Sequence, residues 1–317
     1  MLTTFKRPGL VRKAVRSIAA QTYRPLQVVV VEDGSDVGLD EWLKQEHLDD
    51  VLYVRHKVNR GLPAARNTGL QLAEGDYVGY LDDDDEWMPT RIEEQVRLLN
   101  GLTDGEKRSV GVVYCGSMVR SPDGSTVSVA HPRNNGSLRD AVIRDGPMTL
   151  SSTFLFSTVA LRKIGGFDES LRSSIDHDVW MSLAVHGYEA RALDRPLVYK
   201  YETGHAKMTT DSTTRVKGVG DYVKKWRPTY REWFGERAGN TYADRYFVRV
   251  IATLAAGKLV EGRFREAWNA GRAVAVRRGQ RLYALRNLAR QTAAAVVHRF
   301  LPLWAVKRLR VVSGRSR

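Results

Sequence analysis

Four consecutive aspartates, Asp82 to Asp85, follow directly on the apolar run Tyr77-Val78-Gly79-Tyr80-Leu81. Crowded carboxylates repel, at about 1 kcal/mol for two charges 4 Å apart in water. A solvated loop would disperse that repulsion, but this run is joined to a short β-prone stretch that reads as a buried strand. In open α/β sheets, ligands bind just outside the carboxyl ends of the strands. Carboxylates fixed at such an edge suit a hard divalent cation held through oxygen. The run therefore reads as a candidate metal site.

Other polar groups are placed for chemistry in the same way. Glu32-Asp33-Gly34-Ser35 ends the apolar run Leu26 to Val31, where an ordinary Asp-Gly turn is an equally natural local reading. Arg66 sits in a helical pattern and suits a charge-assisted contact to a phosphate or to the acidic cluster. Asp176-His177-Asp178 opens a later helical pattern, and His205 lies in the loop Glu202-Thr203-Gly204-His205-Ala206-Lys207.

The elements that must hold these groups alternate. Helices are expected over Val11 to Ala20, entered through Pro8, and over Leu39–Leu48, Leu62–Ala73 and Pro89–Leu99. Strands are expected over Leu26–Val31, Val51–Arg55 and Tyr77–Leu81. This βαβα rhythm predicts a mainly parallel sheet with helices on both faces. From Val110 to about Tyr201 the strands are more mixed, over Val110–Cys115, Thr126–Ala130, Thr153–Phe156 and Leu197–Tyr201, interrupted by a helix over Asp176–Val185. Beyond Thr213 the pattern is almost wholly helical.

Composition narrows the class. A chain of 317 residues can bury a full core. Its single cysteine, Cys115, rules out an internal disulfide and a cysteine-rich zinc site, and a reducing compartment fits best. There is no 18-residue apolar stretch and no signal-like start, so a cytosolic or peripheral protein is expected. The net charge of +14 resides in the C-terminal part: residues 241–317 carry 17 basic against 3 acidic side chains, and the first 240 carry 33 of each. Two regions so different in charge are expected to do different jobs.

Several motifs together resemble glycosyltransferase family 2, inverting sugar transferases of the GT-A fold. They are Leu2 to Pro8, Gln21-Thr22-Tyr23, Glu32 to Ser35, Arg60 to Gly69, Leu81 to Trp87, and Gly165-Gly166-Phe167-Asp168-Glu169 leading into Ile175 to Trp180. The resemblance spans roughly residues 2 to 210. It implies a GT-A domain over residues 1–212, followed by a basic helical extension over 213–317. It also implies donor-nucleotide contacts from Thr3, Phe5, Asp33, Arg66, Asp82 and Asp83, with Asp33 accepting from the N3–H of a uracil-like base. Asp84 would bind Mg²⁺ or Mn²⁺ directly, Asp82 would act through the ribose or metal-bound water, and His205 would contact the metal or diphosphate. Asp176 would be the catalytic base, with Asp178 and Trp180 on the acceptor side. Ile175 departs from the family pattern, which has Glu there.

The implied reaction moves a sugar from a nucleotide-diphosphate donor, a UDP-sugar, to a hydroxyl of a saccharide or lipid-linked acceptor in surface polysaccharide biosynthesis. A nucleotidyltransferase is the alternative enzyme, but Thr4-Phe5-Lys6-Arg7-Pro8-Gly9 is not its Gly-rich phosphate loop. A non-catalytic, membrane-associated sugar-binding or scaffold protein is the other. Family members carry four or five apolar residues before Thr-x-Phe, whereas here Met1 and Leu2 stand alone. The first strand is therefore expected to be truncated, with the natural start upstream. The basic extension, with Phe300 and Trp304 among its apolar residues, suits an anionic membrane surface. No nucleic-acid motif accompanies the charge, so no nucleic-acid partner is expected.

Overall fold

The structure, a computed structural model, is described for residues 1–48, 50–121, 124–144, 151–201, 211–275 and 281–300. It divides into two compact units: Met1–Ser170 with Ile175–Gly204, and Leu171–Ser174 with His205–Arg317.

The first unit opens with β1 (Leu2–Thr4), α1 (Pro8–Ala19), β2 (Val28–Asp33), α2 (Leu39–Gln45), β3 (Val51–His56) and α3 (Leu62–Leu72). Pro8 stands at the start of α1, where its fixed φ is already helical. The β-branched run Val28-Val29-Val30-Val31 makes β2 a buried strand. Then follow β4 (Tyr77–Gly79), β5 (Leu81–Asp82), β6 (Asp85–Trp87), α4 (Arg91–Asn100), α5 (Asp104–Ser109), β7 (Val110–Arg120) and β8 (Thr126–Ala130). The unit closes with β9 (Gly136–Ser137), α6 (Leu138–Arg144), a 3₁₀ turn at Ser151–Thr153, β10 (Phe154–Ser157), α7 (Thr158–Lys163), α8 (Ile175–Val185) and β11 (Glu189–Tyr201).

Four strands form the expected parallel sheet, in the order β3-β2-β1-β5. The other seven form a second sheet along β4-β10-β7-β11-β6, where β7 and β11 pair in parallel and the remaining pairs are antiparallel. The short β1 occupies the centre of the parallel sheet. Leu2 pairs with both Val30 and Leu81, so the expected first strand is there, three residues long, with a neighbour on each side. The core between this sheet and its helices is built from Leu2, Val11, Val15, Ile18, Val30, Leu39, Leu81 and Trp87.

One expected element is divided. The run Tyr77–Leu81 reads as one strand, but Tyr77–Gly79 pairs antiparallel with β10 and Leu81–Asp82 pairs parallel with β1. The chain changes sheets at Tyr80, whose buried ring packs edge-on against Phe156 and Phe167. A break at this point brings the acidic turn to the carboxyl edge of the parallel sheet while anchoring it from the other.

The second unit is helical in its described residues: α9 (Ser212–Phe234), α10 (Glu236–Val260), α11 (Phe264–Ala275) and α12 (Arg281–Phe300). The Asp211 carboxylate caps α9 by accepting from the Thr213 and Thr214 amides. Tyr222, Tyr230 and Tyr246 are buried where α9 and α10 meet, and the Tyr222 and Tyr230 hydroxyls lie 3.0 Å apart.

Candidate functional site

The acidic run does not remain a loose loop. Asp82 ends β5, Asp83 and Asp84 form a tight turn, and Asp85 begins β6. The four carboxylates meet different partners. Asp83 is turned inward: one oxygen accepts from the Thr4 hydroxyl at 2.8 Å and the other from Arg7 at 2.8 Å. Burial raises its carboxyl above the usual range against the pull of Arg7. Among the described residues, oxygens of Asp82, Asp84 and Asp85 lie within 4.8 Å of one another. Three hard oxygen donors so close fit Mg²⁺ or Mn²⁺. Asp82 and Asp84 are the pair expected from the sequence, and Asp85 joins them.

Asp85 is buried, and burial together with the neighbouring Asp82 pushes its carboxyl up to about 7. It pairs in register with Lys200 of β11, whose charge opposes that rise. A positive ion among these oxygens would relieve the same repulsion.

The support for the cluster comes from far along the chain. The Ser152 hydroxyl donates to Asp85 at 2.6 Å and accepts the Asp82 amide at 3.1 Å. The Ser151 hydroxyl donates to Asp82 at 3.0 Å. The Trp87 indole N–H donates to the Ser152 carbonyl at 2.8 Å, fixing the 3₁₀ turn against β6. Sequence reasoning missed both serines. Two serines before an apolar strand read as a loop, and only their position beside the acidic turn gives them a role.

Arg66 joins the cluster to the other half of the site. Projecting from α3, its guanidinium is 2% exposed and donates to Asp82 at 2.9 Å, Ser151 at 2.8 Å and Asp176 at 2.7 Å. Tyr80 and Phe167 flank it, with ring centres 5.5 and 5.2 Å away. Burial works against the charge, but Asp176 and Asp82 outweigh it and raise the pKa further. Of the two contacts expected for Arg66, phosphate or acidic cluster, the structure shows the cluster. Asp176, in the first turn of α8, is 30% exposed. One of its oxygens accepts from Arg66, and the other has no partner among the described residues.

Asn67, next to Arg66, fixes the chain that leads toward Asp176. Its side-chain amide donates to the Phe167 carbonyl and its oxygen accepts the Phe167 N–H, both at 2.8 Å. Gly166 adopts a positive φ of 75° there, and a Cβ would lie 2.5 Å from the Asn67 oxygen. No side chain fits at that position.

The remaining expected residues fall as follows. Thr3 is buried in β1, in register with Asp82, while Phe5 is exposed beyond the strand. Asp33 lies buried at the carboxyl end of β2, its oxygens accepting from the Arg60 amide at 2.9 Å and the Gly61 amide at 2.8 Å. His56 Nδ1 is 2.8 Å from the same carboxylate. Asp33 thus holds the loop that opens α3, and a base at this position would share oxygens already in use. Its neighbour Glu32, also missed, is fully buried and accepts from Tyr53 at 2.6 Å, Ser35 at 2.7 Å and the Val37 amide at 3.0 Å.

Asp178 and Trp180 are both buried. The Trp180 ring packs between Tyr114 and Phe154, so of the three α8 side chains expected at the site Asp176 alone opens outward. Ile175 is buried too, where the family pattern has Glu. His205 lies outside the described residues, as do Lys207 and Trp304.

The site can be compared with known proteins. The sequence pattern of glycosyl transferase family 2 matches residues 1–158. WcaA of Escherichia coli K12, whose name places it as a glycosyl transferase of colanic acid biosynthesis, is 31% identical over 243 residues, which cover 76% of this chain and 83% of that protein. The chain belongs to glycosyl transferase family 2. A glycosyltransferase of Rickettsia prowazekii, uncharacterized by name, is 28% identical over 230 residues, 71% of this chain. The family 2 chain spans 69% of that relative's length and 56% of the Rickettsia typhi one. Two solved structures share the fold. The mannosyltransferase PcManGT of Pyrobaculum calidifontis, in complex with GDP-Man and Mn²⁺, aligns with a TM-score of 0.56 and 22% identity over 94% of this chain and 86% of that one. S. aureus TarS 1–349, in complex with UDP-GlcNAc, aligns with a TM-score of 0.57 and 17% identity over 94% of this chain and 90% of that one.

Proposed function

We propose that this family 2 chain transfers a sugar, with inversion, from a nucleotide-diphosphate donor to a hydroxyl of a saccharide or lipid-linked acceptor. The observation that carries the reading is Arg66, which binds the cation-type carboxylate Asp82 and the candidate base Asp176 through one buried guanidinium. Leaving-group side and acceptor side are thereby adjacent. Asp82, Asp84 and Asp85 would hold Mg²⁺ or Mn²⁺, which when bound supplies positive charge for the departing diphosphate.

The protein's own groups do the rest. Arg66 orients Asp176 through one oxygen, and the open oxygen accepts the acceptor's hydroxyl proton as that hydroxyl attacks the anomeric carbon. The bond from that carbon to the diphosphate breaks, and the leaving oxygen takes the electron pair. Thr3, Phe5 and Asp33 border the edge assigned to the donor base, a UDP-sugar in this reading. Similarity to a protein that binds UDP-GlcNAc supports it, while one that binds GDP-Man keeps guanosine donors in the screen. Asp83 and His205 are the remaining residues of the assignment, the first shaping the turn. Relatives named for colanic and teichuronic acid biosynthesis support a role in surface polysaccharide assembly. No described helix is long and apolar enough to cross a membrane. We place the enzyme in the cytoplasm, with the basic helical region peripheral on the inner membrane face.

Nucleoside diphosphate release from a panel of UDP- and GDP-sugars, with and without divalent cation, tests the reading. Release that depends on the cation and falls at least a hundred-fold in Asp84→Ala and in Asp176→Asn is expected. Turnover left intact by both substitutions overturns it.

A further inference from the structure

Helix α11 is built inside out for a helix that ends in water. Toward the neighbouring helices it buries Ala267, Ala270 and Val274. Its two largest side chains, Phe264 and Trp268, are each 69% exposed. These two and Gly271 recur at i, i+4 and i+7, so they share one face. On α12, Leu285 is 65% exposed. A cavity of about 190 Å³ between the helices is lined by Gly271 and Val274 of α11, Leu285 and Leu288 of α12, and Ala252 and Ala255 of α10. Gly271 belongs both to the stripe and to the cavity wall, so the apolar surface continues inward.

Charge accompanies this stripe. Arg265 and Arg272 of α11 and Arg286 and Arg290 of α12 are exposed and form no ion pair among the described residues. The acidic groups nearby, Glu261 and Glu266, are already paired with Lys258 and Arg263. Exposed aromatic side chains beside unpaired arginines fit an apolar interior that lies beneath a layer of negative charge. An acidic protein would complement the arginines but offer nothing for the stripe. Nucleic acid would do the same, and among the described residues no Lys lies on α11 or α12.

We propose that Phe264, Trp268 and Leu285 form an insertion surface for an anionic phospholipid bilayer, with Arg265, Arg272, Arg286 and Arg290 at the headgroups. This deepens the peripheral location proposed above, which named only the basic region. Its test needs no turnover, so it stands or falls apart from the transferase assignment.

The experiment is flotation of the full chain with vesicles of phosphatidylcholine containing about a third phosphatidylglycerol, against phosphatidylcholine alone. Wild-type protein is expected to float with the anionic vesicles and to be released by higher salt. Phe264→Ser with Trp268→Ser is expected to lower the partition coefficient about ten-fold or more, and Arg265→Ser and Arg272→Ser about five-fold each. Because these side chains are exposed, the variants should unfold at the wild-type temperature. Asp84→Ala should float as wild type does. Equal flotation of wild type and the aromatic variant overturns the proposal, as does no flotation of either. A dimer in sedimentation that Trp268→Ser dissolves, or RNA binding without vesicle binding, would assign the surface elsewhere and overturn it too.

Discussion

Replacing Arg66 tests the bridge directly. Arg66→Met keeps much of the side chain's volume and removes its charge and three hydrogen bonds, to Asp176, Asp82 and Ser151 at 2.7, 2.9 and 2.8 Å. The guanidinium is 2% exposed, so water does not replace it. Two carboxylates are left facing an apolar group. Breaking a buried ion pair by removing one partner costs about 3–5 kcal/mol. For a unit of about 200 residues each kcal/mol lowers Tm by roughly 2–4 °C, so a fall of about 6–20 °C is expected. Arg66→Lys should recover only part of this, because an ammonium lacks the planar fork that reaches both carboxylates. Thermal unfolding followed by circular dichroism supplies the measurement. A cycle with Asp176→Asn isolates the bridge: the Arg66→Met loss should shrink by about 1 kcal/mol or more when Asp176 is already neutral. Additive losses, or a Tm shift under 2 °C for Arg66→Met, would refute the reasoning.

Three further outcomes follow from the packing. Ser152→Ala removes both the donor to Asp85 and the acceptor for the Asp82 amide, so cation affinity measured by Mn²⁺ titration should weaken about ten-fold or more; unchanged affinity would show the turn to be passive. Gly239→Ala would place a Cβ 2.4 Å from the Tyr230 carbonyl oxygen, and α10 would have to move off α9 at a cost of about 1–3 kcal/mol, seen as a lower denaturation midpoint. Cys115 is buried and burial pushes its thiol pKa up, so at neutral pH the native protein should resist Ellman's reagent and react fully once unfolded; fast reaction of the native form would contradict the packing around β7.

Much of the frame was legible in the residues themselves. Local pattern carries α1, β2, α3, α4 and α8, because proline at a helix start, a valine run and helical periodicity act within a few residues. The parallel sheet followed from the alternation of these elements. The division of Tyr77–Leu81 did not, because a continuous apolar run says that a strand is buried without saying which strand lies beside it. Asp178 and Trp180 show the same limit. Both stand in the α8 motif beside Asp176, yet helical rotation and the packing of Tyr114 and Phe154 put them in the interior.

The sequence by itself determined that carboxylates are concentrated at the end of a buried strand, that an arginine and a later aspartate accompany them in a family order, and that the net positive charge resides in the C-terminal region. Charge and periodicity are properties of residue type, so they survive without a fold. Tertiary structure decided which oxygens meet. It turned Asp83 onto Thr4 and Arg7, brought Asp85 to Asp82 and Asp84, carried Ser151 and Ser152 across about seventy residues to hold them, and set Arg66 between Asp82 and Asp176. These contacts depend on strand pairing and on the exclusion of water, and neither is encoded in any one segment.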